Sequence, residues 1–346
     1  MHTYVDKSDN EQYCYTDFEA YYAKEVFPCF DQPSLKAKMA LVVVCPDGWV
    51  AVSNGAERRA ENCQSVIEKH DISWFMDFIG EKSPAFFVFD QTPVIPSYLF
   101  AVCAGPYHVF EDEDLQGVPQ RIFVRRSLKD NMRKELVFGT TKHSIDFYSK
   151  SYGKRFPFSK CDHVFVPDYL FSAMENIGCI VYNDERFCSS KEMSVPQLTY
   201  FSIVVQHELC HMWFGNLVTM RWWNDLWLNE AFATVLSYMS CAAGGEHVNE
   251  FKEESWLHFN SGKLRGVTED MLPSTHPVAG DCPNTDAAES LFDALTYQKG
   301  SSLMKQLIFI MGWETFCNGL RLYFKAHAWK NTILDDFISC MQTGYD

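Results

Sequence analysis

One five-residue stretch constrains this chain more than any other: His207-Glu208-Leu209-Cys210-His211. Histidines four apart on an α-helix lie on one face, about 40° apart around the axis, so both imidazoles reach a single metal ion. Neutral imidazole is a preferred zinc ligand, and catalytic zinc takes three protein ligands while one position stays open. Glu230, in Trp227-Leu228-Asn229-Glu230, is the third ligand this pattern calls for, with eighteen residues between it and His211. That gap lets the first helix end, the chain turn through Gly215-Asn216 and Asn224-Asp225, and a second helix bring a carboxylate back. Glu208 follows the first ligand directly and has the reach of a general base acting on water at the metal. Two histidines four apart also occur by chance in an apolar helix. The third carboxylate, on its own predicted helix, is what separates the two readings.

The rest of the chain is arranged around these two helices. Leu41–Cys45 and Trp49–Val52 flank Pro46-Asp47-Gly48 and are expected to pair as a hairpin. Ala85–Phe89 and Tyr98–Ala104 are further β-rich runs, and the acidic run Glu111-Asp112-Glu113-Asp114, followed by Gly117, is the expected joint between domains. Beyond it, Arg121–Arg125 reads as a strand, and Ser127 as the cap of a helix that starts at Leu128 and ends before Gly153. His163–Val166 and Cys179–Tyr182 read as strands around Ser172-Ala173-Met174-Glu175-Asn176. The metal helix is expected over Pro196–Phe214 and a second from Leu226 to the stop at Gly244-Gly245, with mostly helix from there to Asp346. Strands first and helices afterwards predict an α+β protein. Its β-rich N-terminal domain would take residues 1–109, and its mixed α/β catalytic domain, with a helical C-terminal lobe, residues 110–346.

Composition limits what such a site can serve. The net charge of −15 disfavours nucleic acid and anionic membrane surfaces, because counterion release needs clustered Lys and Arg. No apolar run approaches the roughly 18 residues of a membrane span, and Met1 to Lys7 lacks a signal-peptide core, so a soluble chain is expected. Thirteen cysteines are scattered without a C-x-x-C pair. Cys14, Cys29, Cys45 and Cys103 sit in apolar surroundings that suit buried, reduced thiols and a cytoplasmic location.

Several motifs in order resemble the zinc aminopeptidases of the aminopeptidase N family, within the thermolysin-like gluzincins. They are Phe27–Ala37 (FPCFDQPSLKA), Ser172–Asn176, His207–Asn216 (HELCHMWFGN) with Leu217–Trp223 after it, Leu226–Ala233 (LWLNEAFA) and Tyr297-Gln298-Lys299-Gly300. The resemblance runs along nearly the whole chain. It implies one zinc ion held by His207, His211 and Glu230, with Glu208 as general base and Tyr297 stabilising the oxyanion. It also implies peptide substrates with a free N-terminus, their α-ammonium held by Glu175 and Glu19. The backbone of Ser172 and Ala173 would bind the substrate as an added strand, and Met174 would line the pocket for the first side chain.

The chain departs from the family's pattern at four points. Asp17 stands where many relatives carry Gln, a charge that would favour basic N-terminal residues. Ser172 replaces a usual Gly, and Ala231 a common Gly. The chain is also expected to be part of a longer architecture, with an incomplete N-terminal domain. A sheet edge and apolar surface left uncovered would then favour aggregation. Two alternatives stay open at this point: a truncated non-catalytic binding or scaffold protein, and a leukotriene-epoxide-hydrolase-type zinc hydrolase. The Ser-Ala pair before Met174, where that last subgroup has Gly-Gly, argues against the hydrolase. Asp225 is read as either a carboxylate orienting a zinc histidine or an exposed turn residue.

Overall fold

A computed structural model describes residues 1–59, 63–70, 73, 84–112, 117–246 and 248–346. The N-terminal part is antiparallel β-structure. Strands β1 (His2–Val5), β2 (Gln12–Tyr15), β7 (Val102–Gly105) and β4 (Val50–Ser53) form one sheet in that order. A second holds β3 (Val42–Pro46), β6 (Pro84–Phe89) and β5 (Glu57–Arg59).

The expected hairpin is not made. The chain does turn at Asp47-Gly48, where Gly48 takes φ +84° and Trp49 N donates to Pro46 O. However, β3 pairs with β6 and β4 with β7, so the turn is a corner between two sheets. Both flanking strands are β-rich on both sides, and tertiary partners outcompeted the local one.

The second layer is a five-stranded sheet ordered β11 (Ala173–Met174), β12 (Cys179–Asn183), β10 (Cys161–Val166), β9 (Gln120–Val124) and β8 (His108–Glu111). Strands β9, β10 and β12 run parallel, and β8 and β11 are antiparallel edges. Glu111 closes β8, which pairs with β9, and Asp112 follows it; residues 113–116 of the expected joint lie outside the described residues. All six residues of β10 are buried, as expected for a parallel strand covered on both faces. Phe165, Ile180 and Tyr182 join the helical core on one side. Val164, Val166 and Val181 pack on the other with Tyr13, Tyr15 and Val52 of the N-terminal sheet.

Helices supply the rest. After α1 (Cys63–His70), α2 (Lys134–Tyr152) ends at Gly153 in the left-handed conformation, φ +61°. Its start falls later than expected: residues Arg126–Asn131 form a 3-10 turn, and Ser127 Oγ donates to Asp6 Oδ2 in place of capping. A short α3 (Asp184–Phe187) precedes the metal helix α4 (Val195–His211), where Gln197 Oε1 accepts from Ser194 N and Oγ. Helix α5 (Leu226–Ala243) packs along α4 and ends at Gly244. Helices α6 (Lys252–Asp270), α7 (Thr285–Ala288), α8 (Gly300–Met311), α9 (Trp313–His327) and α10 (Leu334–Tyr345) complete the lobe. Trp223 and Trp227 are buried packing residues. No helix among the described residues is long and apolar enough to cross a membrane.

Candidate metal centre and active site

His207 and His211 come from the last turn of α4, and Glu230 from the first turns of α5. Their Nε2 atoms lie 3.0 Å apart, and Glu230 Oε2 sits 3.3 Å from one and 3.5 Å from the other. Four ligands about 2.05 Å from a tetrahedral ion stand about 3.3 Å from one another, so this triangle has the size zinc requires. Two further observations fit the ion. Glu230 Oε2 is buried and accepts no hydrogen bond from the described residues. His211 Nδ1 lies 3.0 Å from the Phe214 carbonyl; donating its proton there leaves the Nε2 lone pair facing the cluster.

The turn after α4 produces that contact. Gly215 takes φ +113°, and Gly215 N donates to Val218 O, which directs the Phe214 carbonyl back under His211. Asn216 Nδ2 then donates to the backbone carbonyl of Glu175 and fixes β11 against the metal helix. Asp225, weighed as an orienting carboxylate or an exposed turn residue, is neither. It is buried and bonds the backbone of Leu334 at the start of α10.

The electrostatics call for cations. Burial opposes charge on His211, yet Glu175 and Glu230 outweigh it and push its pKa up to about 10. Burial likewise opposes charge on Glu230, but His211 and then His207 hold its carboxyl down at about 2. Glu19 and Glu175 are both pushed upward, first by burial and then by neighbouring carboxylates, with His211 opposing the shift at Glu175. Glu208 is raised by burial and then by Glu175. A dication at the His-His-Glu cluster meets the demand that these acids otherwise place on His211.

A cavity of about 630 Å³ opens onto this cluster. Asp17, Glu19, Ser172, Ala173, Met174, Glu175, Glu208 and Tyr297 all line it, together with His207, His211 and Glu230. Glu19, Glu175 and Glu230 present oxygens within 4.8 Å of one another. Tyr297 sits on a π-helical turn, Leu295–Lys299, its ring stacked on His207 with 6.2 Å between centroids. Burial, followed by Glu230 and Glu19, raises the Tyr297 phenol well above its ordinary pKa, so it stays protonated. Gly300 ends that turn because a Cβ there would stand 2.9 Å from Ala231 Cβ, next to the metal ligand Glu230.

Sequence reasoning missed Asn216 and the Phe214 carbonyl as positioning groups, and Arg186, Tyr200 and His258 as walls of the cleft. Nothing local marks them, because their role comes from the elements that meet there.

Residues 137–346 match the Peptidase family M1 domain, and residues 1–99 the Peptidase M1 N-terminal domain. Among similar proteins, aminopeptidase N of Streptomyces lividans is 37% identical over 99% of this chain and 37% of its own length. The puromycin-sensitive aminopeptidase of Caenorhabditis elegans is 32% identical over 96% of the chain and 33% of its own length. Aminopeptidase M1 of Arabidopsis thaliana is 29% identical over 99% of the chain and 36% of its own. The chain thus spans about a third of the length of these relatives. With the matched domain covering the zinc cluster and the helices that build it, this chain belongs to peptidase family M1.

Proposed function

We propose that the chain releases N-terminal residues from peptides as a zinc aminopeptidase. The observation that carries this reading is the second carboxylate cluster, Glu19, Glu175 and Glu230. A metal at Glu230 leaves Glu19 and Glu175 facing each other in a buried place, which is costly without a further cation. The α-ammonium of a peptide is such a cation, and an internal peptide bond offers none. Among the described residues no strand pairs with the outer edge of β11, so a substrate can add beside Ser172 and Ala173 as an antiparallel strand, with its first side chain toward Met174.

His207, His211 and Glu230 would hold the zinc ion, which would supply a Lewis acid able to acidify water and polarise a carbonyl. Glu208 accepts the proton of the attacking water and delivers it to the departing amine. Tyr297 donates a hydrogen bond to the carbonyl oxygen as negative charge builds on it. Asp17, raised to about 6 chiefly by burial, is still mostly ionised at pH 7 and favours Lys or Arg as the first residue.

We also infer a division near residues 109 and 110, since the five-stranded sheet takes over at β8, and a reducing, cytoplasmic setting. Buried thiols such as Cys103, Cys179, Cys210 and Cys241 support the latter.

Aminoacyl-coumarin hydrolysis tests the activity. Release that a chelator abolishes, zinc restores and Glu208→Gln lacks is the expected result. A folded, zinc-loaded sample with no release overturns the reading. The ratio of Lys to Leu release, and its fall in Asp17→Asn, tests the charge at the first pocket.

A further inference from the structure

We propose that Arg186 is a binding site for a substrate carboxylate on the leaving side of the cleaved bond, carried by one of the two residues that follow it. The inference rests on the aminopeptidase reading, which fixes the direction of the bound peptide. With the α-ammonium at Glu175 and Glu19, a strand antiparallel to β11 runs from Glu175 past Ala173 toward Ser172, at about 3.3 Å per residue.

At Ser172 the charge of the cleft changes sign. The amine end is walled by Asp17, Glu19, Glu175 and Glu289, whereas Arg186 lines the other end. Arg186 Nη1 donates to Ser172 Oγ at 3.0 Å, and that oxygen lies 2.9 Å from the Tyr200 hydroxyl. Among the described residues no carboxylate pairs with Arg186. Arg265, also on the cleft, has Glu269 at 3.9 Å.

A guanidinium has five N–H donors in a fixed fork, and the one bond to Ser172 leaves a bidentate face for a carboxylate. The hydroxyl that holds Arg186 belongs to Ser172, the residue that replaces a usual Gly. Among the described residues the side chain makes no other hydrogen bond or ion pair; it is exposed, and the backbone N of Arg186 donates to Asn183 Oδ1 at the start of α3. Arg186, Tyr200 and His258 also line a second, mainly apolar cavity of about 300 Å³ beside the first.

Either the C-terminal carboxylate of a tripeptide or an acidic side chain meets this chemistry. The test measures binding by calorimetry to zinc-loaded Glu208→Gln protein. The ligands are Lys-Ala-Ala as free acid, Lys-Ala-Ala amide and Lys-Ala-Glu amide, with Arg186 intact or changed to Ala or Lys. Peptides bearing the added carboxylate should bind about three- to tenfold tighter than the plain amide. Arg186→Ala should bring them to the amide's affinity, and Arg186→Lys should restore part of the difference. A preference for only one of the two acidic peptides supports the site and identifies the source of the carboxylate. Equal binding of all three peptides, or an equal loss for all three in Arg186→Ala, overturns it. Coumarin release by the wild-type chain reads the activity separately. Release without a carboxylate preference sinks the Arg186 site alone, and a preference without release sinks the aminopeptidase reading alone.

Discussion

Glu208 and Tyr297 line one cleft, the proposed function gives them opposite proton duties, and each can be removed with almost no change in shape. Glu208→Gln keeps the volume and removes the base, so kcat should fall about 10²–10⁴-fold. Zinc content by atomic absorption should stay at one per chain, which separates lost chemistry from a lost metal. Tyr297→Phe removes a single donor to the developing oxyanion. The expected cost is about 10²–10³ in kcat with little change in KM, read from the same coumarin assay. An equal rise in KM would instead place Tyr297 in ground-state binding. Glu208 was legible in the sequence because chemistry dictates the spacing of its motif, and Tyr297 only through the resemblance to the aminopeptidase N family. Asn216 and the Phe214 carbonyl were not, since an amide and a backbone oxygen carry no chemical signature until a turn aims them.

Elements deliver these residues, and their packing sets the precision. Helix α8 approaches α5 closely only because Gly300 lacks a Cβ. In Gly300→Ala the new methyl meets Ala231 at 2.9 Å, so the helices must separate. Overpacking of this kind costs about 1–3 kcal/mol, and the shift reaches Tyr297 three residues away. Thermal unfolding and kcat should fall together, whereas a lower Tm with normal kcat would show that the strain is absorbed elsewhere. Arg125, at the end of β9, makes a comparable tie. Its Nη1 donates to Asp6 at 2.8 Å and its Nε to Asp184 at 2.6 Å, joining the N-terminal segment to α3. Arg125→Met would leave two buried carboxylates unpaired, at about 3–5 kcal/mol, measurable by urea unfolding. The strand runs themselves were readable from the sequence, but their partners were not. Val42–Pro46 and Val50–Ser53 are neighbours along the chain yet belong to different sheets.

At the scale of the molecule, stability should respond to both metal and pH. Chelation removes a ligand that binds only the folded site, so Tm should drop on EDTA treatment and recover with zinc. An unchanged Tm would mean that the cluster does not hold the ion. His163 gives the chain an acid limit. It is fully buried between α2 and the five-stranded sheet, bonded to Thr141 and Tyr182, and burial lowers its pKa to about 4. Because the folded pKa lies below the unfolded value near 6.5, the unfolded chain binds the extra proton between them. Stability from this residue is complete above pH 6.5 and is lost as pH falls through 4, by about 3 kcal/mol. Urea unfolding of His163→Gln against wild type between pH 7 and 4 should show a shallower loss in the variant. Parallel curves would assign the acid sensitivity to other groups.

The sequence by itself determined the metal chemistry, because helical periodicity places His207 and His211 on one face and leaves Glu208 beside them. It also determined the order of strands before helices, through apolar patterning and the stops at Gly153 and Gly244. Only the tertiary structure decided which segments meet at the cleft. Asp17 and Glu19 follow β2, yet they reach the zinc cluster because the N-terminal sheet packs on the five-stranded sheet. Arg186 meets Ser172 because β12, which leads into α3, pairs antiparallel with β11. Such placements depend on long-range packing between segments distant in the chain, and no local pattern of residues encodes them.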